Sequence, residues 1–381
     1  MHLNVFLHGC GHHGASWRLP GAPVNELADI RYYGRLAQAA ERGLFDAVFL
    51  ADGQSADDPA AGSLWQLEPL IMVAAMARAM EWIGLVSTGS STFYEPCHAA
   101  RMLASLDHIS GGRAGVNIVT SMFDAEARDP GLPALPPHQE HYSRAAEFSD
   151  VTLALWTSWV GGTLMRDRQG QFADPVPISA LLHAGEHSTV EGPLNVPRFP
   201  QGHPVTFQAV ASEPGRRLAA SYAEGIYAVA YDLTSAHEYY GDVKRRISGA
   251  GRDPDKVAIM PGPVTYIGRT EAGARAKQAA VDAFLPKEMS LAQLGRFVQC
   301  DTSGWELDAP CPCSCRRRTS PDRSAATPPS CGSSRRGGPQ CASSWAGRLP
   351  AEGTPPWRAA PRRWQLKCSG GLRVEAPMGS T

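Results

Sequence analysis

The chain has 381 residues, of which 43% are hydrophobic and 19% are charged, and its formal net charge is −1 at pH 7. This composition is typical of a globular protein with a large core, and the sequence contains no apolar run long enough to predict a membrane span. The first residues lack the basic and apolar regions of a signal peptide, so we expect a cytoplasmic protein.

The charge is unevenly distributed along the chain. Residues 311–381 contain eleven Arg and one Lys against three acidic residues, a net charge of +9, so residues 1–310 carry −10. The negative body gives no reason to expect nucleic-acid binding. Only three cysteines (Cys10, Cys97 and Cys300) lie in the body, and six lie in residues 311–381. Three widely spaced cysteines predict no disulfide framework, as is usual in a reducing compartment.

Short apolar runs alternate with segments of helical character along most of the chain. The predicted strands are residues 3–7, 46–50, 83–87, 115–119, 205–210, 226–229 and 257–267. The predicted helices are residues 33–42, 68–80, 98–109, 143–159, 215–223, 235–247 and 271–284. This alternation predicts a parallel α/β fold, and the number of strands favours a (β/α)8 barrel over an open sheet. Residues 161–203 are rich in Gly, Pro and Asp and are predicted to form a long excursion that covers an active-site mouth.

A loop rich in glycine and histidine follows the first predicted strand. It reads His8-Gly9-Cys10-Gly11-His12-His13, and Trp17 and Arg18 come shortly after. Imidazoles and a thiol are potential metal ligands, but no carboxylate or second cysteine pair accompanies them. An ordinary glycine-rich loop at the mouth of a barrel is the alternative, and we assign no metal.

Small polar residues follow the second and third predicted strands. Asp52, in Ala51-Asp52-Gly53-Gln54, belongs either to a simple turn or to a ligand site at the end of a barrel strand. The run Thr88-Gly89-Ser90-Ser91-Thr92 would let a flat ligand approach the backbone and receive hydrogen bonds. The same run could instead cap the helix that follows it.

Two further patterns concern the later strands. His138 and Tyr142 are four residues apart, so a helix would place both on one face. After the fifth predicted strand, Ser212 can cap a helix that has Pro214 in its first turn. The free N–H groups at the start of such a helix can form a phosphate-binding site. A plain packing pair and a plain N-cap are the alternatives.

Taken together, these segments resemble one known family. They read FLHGCGHH at residues 6–13, WR at 17–18, FLAD at 49–52, WQLEP at 65–69, SSTFYEP at 90–96, ASLDHISGGR at 104–113, NIVTS at 117–121 and AEF at 146–148. The chain resembles the nitrilotriacetate monooxygenase component A family from about residue 3 to about residue 284. That family is a branch of the luciferase-like (β/α)8 flavoproteins.

The resemblance implies an FMN-dependent monooxygenase. A separate NAD(P)H:flavin reductase would supply reduced FMN, and O2 would be the co-substrate used to oxidise a small organic molecule. The resemblance places Asp52 beside the flavin and Thr88 and Ser90 in the segment that touches its ring. Two alternatives stay open: a deazaflavin-dependent oxidoreductase of the same fold, and an inactive, truncated copy.

The remaining implied positions lie on both sides of the flavin. His138 and Tyr142 match family residues at the ring and phosphate side, and Ser212 with the N–H of Ala211 matches the phosphate contact. The substrate side, with the catalytic positions, would be lined by the residues Cys10, His12 and Trp17. The chain departs from the family at Val116, where Trp is usual, and at His141, where Arg is usual.

The C-terminal segment departs most from the family. Residues 311–381 contain only five of Leu, Ile, Val, Phe and Met, and ten Pro. This composition cannot bury enough apolar surface to offset the entropy of ordering, and it resembles an out-of-frame translation. We therefore predict two regions. Residues 1–310 form a barrel that is incomplete at its C-terminus, and residues 311–381 are mostly irregular, with little helix or strand. A complete barrel would be expected to form a homo-oligomer.

Overall fold

The computed structural model describes residues 1–56, 67–199, 201–230, 232–298 and 301–306, and three short strands between 356 and 375. The strands are β1 Asn4–Phe6, β2 Ala47–Phe49, β3 Gly84–Ser90, β4 Ala114–Val119, β5 His183–Ala184, β6 Thr189–Val190, β7 Val205–Ala209, β8 Gly225–Ala228, β9 Ala258–Pro261, β10 Val264–Ile267, β11 Pro356–Ala359, β12 Gln365–Lys367 and β13 Arg373–Glu375. The helices are α1 Ile30–Arg42, α2 Pro69–Met76, α3 Pro96–Ser110, α4 Asp124–Arg128, α5 His138–Trp156, α6 Glu213–Tyr222, α7 Leu233–Gly249, α8 Glu271–Asp282 and α9 Lys287–Val298. Within these residues no helix is long and apolar enough to cross a membrane.

Seven strands form one parallel sheet in the order β1-β2-β3-β4-β7-β8-β9. In a flat sheet β1 and β8 would lie five strand spacings apart, roughly 24 Å. The rings of Phe6 in β1 and Tyr227 in β8 are instead 6.4 Å apart. The amide Nδ2 of Asn4 in β1 also lies 3.2 Å from Sδ of Met260 in β9. The sheet is therefore curled, as the predicted barrel requires, and its two edge strands meet through side chains.

Apolar side chains fill both faces of the curled sheet. The interior holds Phe49, Val86 and Phe207, with Phe6 and Met260 packed against them. On the outer face, one cluster joins β2 and β3 to α1 and α2, a second joins β4 to α3 and α5, and a third joins β8 to α6 and α7. Parallel strands buried on both faces explain why the sequence shows continuous apolar runs rather than alternation.

One predicted strand is wrong in extent. Residues 257–267 form two strands, β9 and β10, and only β9 belongs to the curled sheet. The break falls at Gly262 and Pro263. Pro263 has no N–H to donate to a strand ladder, which explains why pairing stops there. The hairpin of β5 and β6 and the helices α4 and α9 have no counterpart among the predicted elements.

The C-terminal segment contributes strands, but not to the curled sheet. β11 pairs in parallel with β10, and β12 and β13 follow in antiparallel pairing. The prediction of a mostly coil segment named no strand here, but three short strands are present, each with a large apolar residue (Trp357, Leu366 or Val374) at a strand position. None of the three lies between β1 and β9. The rest of 307–381, including the boundary at Pro310, lies outside the described residues, so the two-region division stays a prediction.

Candidate functional site

A layer of hydroxyl and amide groups lies where β3 and β4 approach their carboxyl ends. Residues Val86, Thr88 and Ser90 alternate along β3, so Thr88 and Ser90 share the interior face with Val86. The Thr88 hydroxyl donates to the carbonyl of Leu50 (2.8 Å) and accepts a hydrogen bond from Nδ2 of Asn117 (3.1 Å). The Thr88 hydroxyl proton is therefore engaged in joining β3 to the end of β2.

Ser90 is tied to its neighbours in the same way. Its Oγ lies 2.9 Å from Oγ of Ser121 and accepts a hydrogen bond from the N–H of Thr92. By contrast, Oδ1 of Asn117 is buried and has no hydrogen-bond partner among the described residues. An unpaired buried acceptor costs about 1–3 kcal/mol. The interior face of β4 thus offers an acceptor suited to an N–H or O–H group of a ligand.

Asp52 lies just beyond β2 in an acidic part of the mouth. Burial raises the pKa of its carboxyl group, a hydrogen bond from Gln54 opposes this, and the charges of Glu68 and Glu126 raise it further. Asp52 therefore holds its proton to a higher pH than an exposed aspartate. Burial and the same acidic neighbours, Glu68 and Asp52, raise the pKa of Tyr94 to about 12, so this phenol stays protonated at neutral pH.

A second polar corner forms where α5 and α6 begin. The hydroxyls of Tyr142 and Ser212 are 2.8 Å apart, and the N–H of Gly215 donates to Ser212 Oγ at 3.3 Å. The rings of His138 and Tyr142 lie 5.0 Å apart, so the four-residue spacing does place both on one face. A Cβ at Gly215 would lie 3.1 Å from both hydroxyl oxygens, so glycine permits this close approach. The structure thus brings together His138, Tyr142 and Ser212.

The residues of the loop after β1 lie in two places, some in the barrel interior and some against the outer layer of helices. Nε2 of His12 lies 3.2 Å from the carbonyl oxygen of Phe6, and its ring packs edge-on against the Phe6 ring at 4.3 Å. Cys10 is a free, half-buried thiol whose pKa is raised by burial. The Tyr32 hydroxyl, on α1, donates to the carbonyl of the adjacent Gly9 at 2.7 Å, which places Cys10 close to α1. Of these two positions, His12 is the one in contact with an interior ring.

Trp17 lies in a short 3-10 turn, Ser16–Arg18, beyond the same loop. Its indole Nε1 is buried and has no hydrogen-bond partner among the described residues. The Arg18 guanidinium lies 4.3 Å from the Trp17 ring centroid. The neighbouring His13 is tied away from the mouth, since its Nε2 lies 3.0 Å from Oδ1 of Asp282 in α8. Across the described residues, no group of three or more His, Cys, Asp or Glu side chains is arranged to hold a metal ion.

Three polar residues of this region were given no role from the sequence, although His8 belongs to the histidine-rich loop and Asn117 to the segment NIVTS that carries part of the family resemblance. Neither His8 Nδ1 nor Asn117 Oδ1, both buried, has a hydrogen-bond partner in the described part of the chain. Glu126 is buried and accepts the N–H groups of Met122 and Phe123 at 2.9 Å each. Period-two alternation gives a signal for His8 and Asn117, because they follow Phe6 and Gly115 by two residues and so share their face. No local pattern signals Glu126.

The two departures from the family pattern have different surroundings. Val116 packs in the cluster between β4 and the helices α3 and α5, so it affects the outer layer and not the barrel interior. His141 is buried, and burial followed by the charge of His138 lowers its pKa. It therefore favours the neutral form beside the helix start that carries His138 and Tyr142.

The role of Ser212 can be tested with Ser212→Ala. The family resemblance implies that Ser212 contacts the phosphate of FMN, and on that expectation FMN affinity should fall by about 1–3 kcal/mol, because a charged acceptor would lose a hydrogen-bonding partner. The measurement is a flavin titration of folded protein. Thr270→Ala is the matched control, because Thr270 caps α8 through the same i to i+3 hydrogen bond, at 3.1 Å from the N–H of Gly273. Unchanged affinity in Ser212→Ala would remove this residue from the site.

Comparison with known proteins agrees with the fold. Residues 6–308 match the family model described as luciferase-like monooxygenase. N-acetyl-S-(2-succino)cysteine monooxygenase of Bacillus subtilis is 42% identical over 81% of this chain and 71% of its own length. Nitrilotriacetate monooxygenase component A of Aminobacter aminovorans is 38% identical over 82% of this chain and 72% of its own length. A crystal structure of riboflavin lyase with modified FMN and the substrate riboflavin superposes with a TM-score of 0.75 at 29% identity, covering 81% of this chain and 72% of the lyase. The chain belongs to the luciferase-like monooxygenase family.

Proposed function

We propose that this chain is the oxygenase component of a two-component system that uses reduced FMN and O2 to oxidise a small organic substrate. A separate NAD(P)H:flavin reductase supplies the reduced FMN. Two observations carry the proposal: the polar corner of Tyr142, Ser212 and Gly215, and the hydroxyl and amide layer where β3 and β4 approach their carboxyl ends. Family membership supports the reaction class.

The residues present fit FMN at both of its polar regions. The corner at the start of α6 offers two hydroxyls and the positive end of a ten-residue helix, which suits a phosphate group. The unpaired Oδ1 of Asn117 offers an acceptor to the N–H edge of a flavin ring. In this arrangement Tyr142 and Ser212 bind the phosphate, with the N–H of Ala211 beside them.

The other residues are proposed to orient the ring and the substrate. Thr88 and Ser90, through their hydrogen bonds to Leu50 and Ser121, would hold the strand ends that face the ring, and His138 would lie at the ring and phosphate side. Asp52 would lie near the ring, and burial raises the pKa of its carboxyl group above that of an exposed aspartate. His12 and Trp17, with Cys10, line the substrate side. When bound, reduced FMN supplies the electrons that activate O2 for insertion of one oxygen atom.

A test of this function separates NADH oxidation from oxygenation. The full chain is incubated with FMN, NADH and a flavin reductase under ¹⁸O2, and a parallel sample contains the chain, FMN and NADH without the reductase. N-acetyl-S-(2-succino)cysteine and nitrilotriacetate, the compounds in the relatives' names, are the first substrates to try. We expect one ¹⁸O atom in the product and no NADH oxidation by the chain alone. Steady NADH oxidation by the chain without reductase would contradict the proposal.

A further inference from the structure

The backbone segment between β7 and α6 is held from one side by two side chains. The Tyr239 hydroxyl, on α7, donates to the carbonyl of Val210 at 2.7 Å. Nε of Arg216, on α6, donates to the carbonyl of Ala211 at 3.0 Å. Two successive carbonyls therefore have fixed partners, both of them immediately before Ser212.

Fixing these carbonyls also fixes the N–H groups that follow them. In a trans peptide the C=O of one residue and the N–H of the next point in opposite directions. The N–H groups of Ala211 and Ser212 are therefore directed away from Tyr239 and Arg216. Neither N–H has an acceptor within the described part of the chain. Together with the hydroxyl of Ser212, they provide donors at the start of α6.

The two holding side chains are themselves fixed. The Arg216 guanidinium lies 4.9 Å from the Tyr239 ring centroid, and its Nη1 donates to Asp242 at 3.0 Å. Burial raises the pKa of Tyr239 to about 12, so its hydroxyl remains a donor at neutral pH. Arg246 donates to Asp242 at 2.9 Å and to both oxygens of Glu213 at 2.8 Å. This pairing offsets the charge of Glu213, which would otherwise repel an anion at the helix start.

We propose that Tyr239 and Arg216 are positioning residues for the phosphate of the flavin, which orient the N–H groups of Ala211 and Ser212 by holding the preceding carbonyls. The inference rests on the proposed function, because it requires that FMN bind with its phosphate at the start of α6. It assigns to α7 a part in cofactor selection, although Tyr239 itself does not contact the ligand.

The test compares two flavins that differ only in the phosphate. Anaerobically reduced FMN and reduced riboflavin are titrated by calorimetry into the full-length wild type, Tyr239→Phe and Arg216→Lys. Arg216→Lys keeps the positive charge but removes the Nε donor. We expect each variant to bind FMN about fivefold more weakly than the wild type, the effect of disturbing one hydrogen bond. The affinity of each variant for riboflavin should stay within about twofold of the wild-type value.

Matched controls keep the result specific. Tyr222→Phe removes a hydroxyl that donates to Asp150 at 2.8 Å, and Arg275→Lys alters a pair with Glu271 on α8 at 2.7 Å. Neither touches the segment before Ser212, so both should keep the wild-type preference for FMN. If the wild type prefers FMN and the Tyr239 and Arg216 variants keep that preference, the inference is wrong. If the wild type binds both flavins equally, or binds neither, then the proposal that the FMN phosphate binds at the start of α6 is wrong, and this inference is wrong with it. If the Tyr239 and Arg216 variants lose affinity for FMN and riboflavin equally, the two residues have only a general structural role, and the inference is wrong.

Discussion

Glu147→Gln is expected to lower the free energy of unfolding by about 3 kcal/mol, because a mostly buried carboxylate would lose its charge while several donors still face it. Glu147 lies on α5 with 13% of its side chain exposed. It accepts hydrogen bonds from His183 Nε2 at 3.0 Å and from the N–H and hydroxyl of Ser188 at 2.8 Å each, and the N–H of His187 donates at 3.0 Å. One side chain thus fastens the β5–β6 hairpin to α5. Urea denaturation measures the change, with Glu140→Gln, at an exposed position of α5, as the control.

The same carboxylate gives a pH signature. Burial raises the pKa of Glu147, but the hydrogen bonds from His183, Ser188 and His187 outweigh this and lower it from 4.5 to about 2. The stabilisation is therefore fully present above about pH 4.5 and is lost as the pH falls toward about 2. The stability difference between wild type and Glu147→Gln should narrow by about 2 kcal/mol from pH 5 to pH 3. A difference that stays constant over this range would show that the charge of Glu147 does not hold the hairpin.

Gly225→Ala is expected to destabilise the protein by about 2–3 kcal/mol through overpacking of the barrel interior. A Cβ at Gly225 would overlap the ring of Phe207. The other edge of the ring already lies close to Gly115, where a Cβ would be only 3.1 Å from it, so little space remains for the ring to move into. Gly115 on β4 and Gly225 on β8, the strands on either side of β7, thus leave the space that the Phe207 ring fills.

Gly241→Ala is the control, and its expected change in stability has the opposite sign. Gly241 lies within α7, and a Cβ there would meet no atom within 4 Å. Alanine should therefore stabilise this helix by about 0.5–1 kcal/mol through its higher helix propensity. Thermal denaturation of both variants makes the comparison. If Gly225→Ala melts at or above the wild-type temperature, the described packing of the barrel interior is incorrect.

The strands could be predicted because the pattern that marks a strand lies within a few consecutive residues. Apolar runs and the polar residues that end them identify six strands nearly at their observed bounds, and the helical spacing of His138 and Tyr142 predicts their shared face. The break at Pro263 also has a local cause, which the apolar character of residues 257–267 obscured. These features depend on neighbours within a few residues, so one sequence is enough to find them.

Other features depend on contacts between distant segments. Glu147 meets residues 36 to 41 positions away, and Tyr239 meets Val210 29 positions away. No spacing rule connects such partners, because the excursion and the barrel loops bring them together only in the folded chain. The position of Cys10 beside α1 was hidden for the same reason, since a loop residue has no period that assigns it to a face.

The most direct test of the proposed function is an anaerobic titration of the folded, full-length chain with reduced FMN, reduced deazaflavin F420 and NADH. The bound flavin is followed by its absorbance, and circular dichroism confirms that the chain is folded. We expect saturable, one-to-one binding of reduced FMN, at least about tenfold tighter than that of reduced F420, and no saturable binding of NADH. Tighter binding of F420, or no binding of reduced FMN by the folded chain, would contradict an FMN-dependent monooxygenase.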